Sequence, residues 1–194
     1  MAPRSNTKEK IGRAALGLFA AQGLKETTIR DITTAVGISE GAFYRHYPSK
    51  EALAERLYLE NYRAFAEALD AIVEAEDSFV RRLDAMIGRF CRLFDDDPEL
   101  FSYLLLAQHS ETKKVPKGEM TPVSVLRRSV VEGMARGEIP AADPDVMTAM
   151  ILGLVLQPAV FKVYGDIDRD MTSLSGRFFE ACCRVSGASA EPLP

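Results

Sequence analysis

Tryptophan is absent from the 194 residues, histidine occurs only at His46 and His109, and cysteine only at Cys91, Cys182 and Cys183. Three cysteines is an odd count, and a chain of this length can build its own core, so a disulfide scaffold is excluded. Two histidines without a Cys-x-x-Cys pair leave no zinc-ligand pattern; neither a metal nor a cofactor is expected. A secretory leader is not expected either. The first apolar patch, Ala14 to Ala21, follows Lys8, Lys10 and Arg13 in a helical pattern, and no small-residue cleavage site comes after it. The longest stretch without charge, Val146 to Phe161, has 16 residues including Gln157 and Pro158. That falls short of the ~20 a bilayer needs. The expectation is a soluble protein in the reducing cytoplasm, with no membrane partner. No window alternates apolar and polar residues in the way a strand requires, so no sheet is expected either.

What is present is an ordinary globular balance, 47% hydrophobic and 27% charged, which excludes whole-chain disorder. The net charge of −4 hides a division. Residues 1–50 hold eight basic and four acidic side chains, whereas the remainder holds 16 and 24. A basic head on an acidic body suits a head that meets a polyanion.

Helical periodicity runs through the whole chain. Ile11, Ala14, Ala15, Leu18 and Phe19 fall on one helical face, with Asn6 and Glu9 placed as a capping box and Gly23 as the stop. A second helix opens at Thr28 with Asp31 at its third position, turns Ile29, Ile32, Ala35 and Val36 inward, and breaks at Gly37. A third runs from Ser39 to about Tyr47. Pro48 stops it and Ser49 caps a long fourth helix bearing Leu53, Leu57, Tyr58, Tyr62, Phe65 and Leu69. A fifth shows Phe79, Leu83, Met86, Ile87, Phe90 and Phe94. Three later helices begin with a capping residue and then proline, at Asp97-Pro98, Thr121-Pro122 and Asp143-Pro144. The last carries Phe178, Phe179, Cys182 and Val185. Glu111 to Glu119 reads as a loop and residues 188–194 as a disordered tail.

Two short helices joined by a tight glycine turn make a helix-turn-helix, whose second helix enters the major groove. Phe43 and Tyr47 lie one turn apart and can pack on Ile32 and Val36. The opposite side shows Gly41, Tyr44 and Arg45: room for close approach, an aromatic ring and a guanidinium suited to guanine. His46 points partly inward on this wheel. Lys50 and Thr28, each beside free N–H groups at a helix start, are placed to hold phosphates.

Residues 28–53, TIRDITTAVGISEGAFYRHYPSKEAL, resemble the DNA-binding segment of the TetR family of bacterial regulators. The likeness extends almost without gaps from about Asn6 to Tyr62. It implies a homodimer, a pseudo-palindromic operator on double-stranded DNA, and a helical body that binds an effector. By the same resemblance Thr28, Ser39, Gly41, Tyr44, Arg45, His46 and Lys50 match positions that touch DNA. The domains are then residues 5–65 for DNA binding and 66–187 for ligand binding and dimerisation, in an all-α fold. Gly37-Ile38-Ser39-Glu40-Gly41 also fits the nucleophile elbow of α/β-hydrolases, but that elbow needs a strand before the serine, and a helix stands there. No catalytic residue is expected.

An effector site in such a body is an apolar cavity with a few polar groups. Candidate walls are Tyr62, Phe65, Met86, Phe90, Phe101, Leu105, Met147 and Ile151, with Tyr103, His109 and Gln157 as candidate polar groups. Few charges among them suits a small hydrophobic or aromatic compound. A helix apolar all round must be covered on all sides. For Val146 to Phe161 the cover is either the interior of the body or a second copy, giving a four-helix interface with Met150, Gly153, Leu154, Phe161, Phe178, Phe179 and Cys182 as candidates. The expected function is therefore a ligand-responsive transcriptional repressor. The alternative is a helical small-molecule-binding protein without specific DNA binding.

Overall fold

The computed structural model describes residues 7–189, the side chains of residues 108–111 and 113 excepted. Among the described residues there are helices and turns and no strand. The expected Asn6 cap and the end of the tail lie outside them. Among the described residues nine α-helices follow one another: α1 (Thr7–Glu26), α2 (Ile29–Val36), α3 (Glu40–Tyr44), α4 (Lys50–Ala75), α5 (Phe79–Asp96), α6 (Pro98–Glu111), α7 (Pro122–Ala135), α8 (Pro144–Val163) and α9 (Met171–Ser186). A 3-10 turn at Thr112–Lys114 occupies part of the expected loop, whose first residue, Glu111, still belongs to α6.

The chain forms two compact units, residues 1–61 with 98–117, and residues 62–97 with 118–194. The boundary expected after residue 65 would leave α6 with the second unit. It is grouped with the first because it packs on α1. Arg13 meets Glu99 at 2.8 Å, and the Tyr103 hydroxyl donates to the Ala54 carbonyl at 2.6 Å. The Phe19 and Tyr103 rings also lie 5.6 Å apart.

Local signals set most helix starts. Thr28 caps α2 and Ser39 caps α3, each accepting a backbone N–H in its first turn. Ser49 does the same for α4 at 3.0 Å from Ala52 N. All three proline-started helices begin at the expected proline. On α2 the inward face differs from expectation: Thr33 is buried and Ala35 exposed. The Thr33 hydroxyl tolerates this because it donates to the Arg30 carbonyl at 3.1 Å, which satisfies a buried polar group locally.

In the second unit α5 buries all six of its expected apolar residues and packs against α7 and α9. Each such side chain contributes roughly 1.5–3 kcal/mol when fully buried. The N-terminus of α9 is held from a distance. Asp170 makes no side-chain cap; instead Asp95, on α5, accepts from Met171 N at 3.0 Å and Thr172 N at 2.8 Å. Partial burial works against the Asp95 charge. The hydrogen bonds from Thr172 and Met171, with Lys162 nearby, outweigh it and hold the carboxyl below its ordinary range.

Arg82 is the buried cation of this unit. It donates to the Glu76 carbonyl at 2.8 Å and to Glu132 at 2.5 Å, and Glu132 also meets Arg136 at 3.0 Å. The bond from Arg82, aided by the charges of Arg82, Arg128 and Arg136, keeps Glu132 below its ordinary range despite some desolvation. A depressed carboxylate adds stability above its unfolded value, near 4.3, and loses it as pH falls through the lower folded value. Glu132→Gln is expected to lower stability by roughly 1–3 kcal/mol at neutral pH, because it weakens a buried guanidinium's partner. Urea melts of the two proteins should converge as pH falls below about 4; a gap that stays constant would show that the charge is irrelevant.

On α8 the inner face, Met147, Thr148, Ile151, Val155 and Ala159, is buried and packs on α7 and α9. The opposite side carries Val146, Met150, Gly153, Gln157 and Phe161, all exposed. The helix is 20 residues long, with Pro158 inside it. By length and composition alone it would suffice to cross a membrane. The charge-free run understated this because the helix extends past Asp145 and Lys162.

Candidate nucleic-acid interface

The helix-turn-helix is built from its turns. Gly37 takes φ 74° and ψ 39°, a left-handed conformation that other residues resist. It ends α2, and its N–H returns to the Thr33 carbonyl at 2.9 Å. Phe43 and Tyr47 are buried, their rings 5.9 Å apart, and they fix the inner side of α3 and the turn after it. Tyr44, 53% exposed, stands edge-on to Phe43. Gly41, Arg45 and His46 are exposed beside it. His46 is thus an outward residue, contrary to the helical wheel: α3 ends at Tyr44, and the turn that follows swings the imidazole out.

Thr28 and Ser39 are exposed at the starts of α2 and α3. The Thr28 hydroxyl donates to Asp31 at 2.7 Å, while Thr28 N donates to the same carboxylate at 2.8 Å. The side-chain bond, then the backbone bond, lower the Asp31 pKa against a slight desolvation. Asp31 therefore serves the cap and keeps Thr28 oriented. Lys50 departs from expectation. Its side chain is only 15% exposed and its ammonium is turned onto backbone carbonyls of the α1–α2 turn. Arg30, which the sequence reading passed over, is exposed on α2.

The proposed effector residues are divided between the two units. Met86, Phe90, Met147 and Ile151 are buried in the second unit, with Tyr62 and Phe65 half-buried there. Phe101, Tyr103 and Leu105 are buried in the first. Gln157 is exposed on the outer side of α8 and cannot serve as a polar group of an interior site. The His109 side chain lies outside the described residues. An open cleft of about 610 Å³ in the first unit is lined by Lys10, Arg13, Ala14, Gly17, Leu18, Ala35, Val36 and Glu99, none of them among the candidates.

Of the interface candidates, Met150 and Phe161 are 47% and 46% exposed, Gly153 is exposed, and Leu154 and Phe179 are half-buried. Phe178 and Cys182 are buried in the protomer's own core, because α9 turns them toward the interior of its unit. Burial pushes the Cys91 and Cys182 thiols up to about 11 and raises Cys183 as well. The thiolate that redox sensing needs is therefore scarce at neutral pH.

An all-α chain whose N-terminal unit presents a capped, glycine-turned helix pair with an exposed Tyr-Arg-His end is a helix-turn-helix DNA-binding protein. Residues 11–57 match the bacterial regulatory proteins of the tetR family. Through these residues the chain carries a DNA-binding domain of the kind found in that family. The HTH-type transcriptional repressor KstR2 of Mycolicibacterium smegmatis is 26% identical over 76% of this chain and 75% of its own length. The fold is shared with the fatty acid degradation regulator FadR of Bacillus halodurans, at TM-score 0.80 and 20% identity over 92% of this chain and 95% of that one. It is shared too with FadR of Bacillus subtilis in complex with stearoyl-CoA, at TM-score 0.76 and 22% identity over 93% and 99%.

Proposed function

We propose that the protein is a homodimeric repressor that holds a pseudo-palindromic operator through two copies of α3 and releases it when a hydrophobic effector binds. The observation that carries this reading is the two-sided character of α3 and its following turn, with Phe43 and Tyr47 buried and Gly41, Tyr44, Arg45 and His46 outward. Thr28 and Ser39 are the proposed phosphate contacts. Two such helices must reach successive major grooves, about 34–36 Å apart, and the uncovered apolar stripe of α8 is the proposed seam between copies. KstR2 is named a repressor, which supports the sign of regulation. The effector is proposed to be apolar and acyl-like. This is supported by the stearoyl-CoA bound to the related fold and by the Met, Phe and Ile side chains of the second unit.

A ligand shifts DNA binding only by its differential affinity for two conformations. α4 supplies residues to both units and is the proposed connection. Selection of bound fragments from random DNA, followed by titration of the recovered duplex at several salt concentrations, tests the reading. One inverted repeat should emerge, bound far above random DNA, and a long-chain acyl-CoA should release it. Weak binding of steep salt dependence with no recovered sequence would mean simple phosphate neutralisation and would favour a binding protein without an operator.

A further inference from the structure

The first residue of α4 grips the turn that precedes α2. Lys50 Nζ donates to the Leu24 carbonyl at 2.6 Å and the Thr27 carbonyl at 2.6 Å, with the Lys25 carbonyl at 3.4 Å. An ammonium has three protons, and three acceptors converge on this one. The Leu24 and Lys25 carbonyls are available because α1, which bends at Gly23 (φ 84° and ψ 159°), ends at Glu26, and the last carbonyls of a helix have no N–H partners within it. Thr27 is fully buried, and its hydroxyl donates back to the Gly23 carbonyl at 2.8 Å. The Thr27 carbonyl that Lys50 holds is bonded directly to the nitrogen of Thr28, the α2 cap. A cation at the start of a helix opposes the helix dipole, so the placement of Lys50 depends on those carbonyls.

We propose that Lys50 is a positioning residue of the DNA-binding head: its ammonium ties the α1–α2 turn to the start of α4, and so sets where α2 and α3 stand, instead of contacting phosphate. Its effect on DNA rests on the function proposed above; its grip on the turn does not. The two roles respond differently to substitution. A phosphate contact tolerates arginine, whereas a planar guanidinium cannot direct its protons at three carbonyls converging on one point.

The test compares wild type, Lys50→Arg and Lys50→Met, as full chains, on the duplex selected from random DNA and on a random-sequence duplex, at a temperature where all remain folded. Both variants should bind the selected duplex at least about tenfold more weakly, with the salt dependence of wild type. Retained affinity in Lys50→Arg, or a salt slope lowered by about 0.9 per protomer (about 1.8 for the dimer) in Lys50→Met, would overturn the proposal. Lower thermal stability with unchanged affinity would also overturn it, since the grip would then not position the head. Reductive methylation of the DNA-free protein supplies an independent reading. Lys50 should react at least about tenfold more slowly than exposed Lys25, and added duplex should protect it no further. Equal reactivity without DNA, or protection only with DNA, would overturn the clamp. If wild type binds neither duplex, the proposed function fails while the methylation rates still decide the grip.

Discussion

Arg45→Ala should abolish useful operator binding while leaving the fold intact. Arg45 is exposed at the end of α3, so its removal opens no cavity. A bidentate arginine–guanine pair is worth roughly 1–3 kcal/mol of discrimination, and a dimer carries two, so the expected loss is about 30-fold to 10⁴-fold. The effect should be largest at one position of each half-site, read by titrating duplexes with that base pair changed. Equal weakening on every sequence would mean that Arg45 meets phosphate only, and unchanged affinity would remove the recognition helix from the mechanism altogether.

Met150→Lys should give a folded monomer. Met150 is exposed on α8 in the single chain, so a lysine there keeps its charge in water until a second copy approaches. A two-fold interface duplicates every substitution, placing two ammonium groups at one apolar seam. Burying an unpaired charge is expensive enough that dimerisation should weaken by at least about a hundredfold. Helical content should be unchanged, and specific DNA binding should fall with the dimer, because one head alone reads half a site. Sedimentation at matched concentrations checks this. A dimer of wild-type strength would place the seam elsewhere, and loss of helical signal would show that Met150 supports the protomer itself.

Sequence legibility followed the range of the interactions. The turns at Gly37 and Pro48, the caps at Thr28, Ser39 and Ser49, and the three proline starts depend on residues within about four positions of one another, and all were readable. So was the buried face of α5, whose six apolar residues keep a regular period. What escaped notice depends on distant partners. Lys50 reads as a free cation until Gly23 turns the end of α1 toward it. Asp170 stands at the start of α9 without capping it, and Asp95 performs that role from 76 positions away. Phe178 and Cys182 fit an interface by type, and only the packing of α9 on α5 and α8 shows that they belong inside. The α8 stripe was legible only in part. A helix that is apolar all round announces that it needs cover without saying which side its own chain supplies. The effector site was the least legible part, because apolar residues of a helical body look alike whether they line a cavity or fill one.

The remote cap on α9 also bears on the order in which the chain assembles. Starting a helix is the costly step, and the first amides of α9 find their acceptor only once Asp95 stands in a formed α5. α9 follows α5 in the chain and packs on it, so it docks onto a template already made. A chain ending before Met171 would carry an Asp95 carboxylate with nothing to cap and an apolar flank of α5 open to water. Such fragments would be held by chaperones or degraded, which makes the docking of α9 a check on the folding of α5.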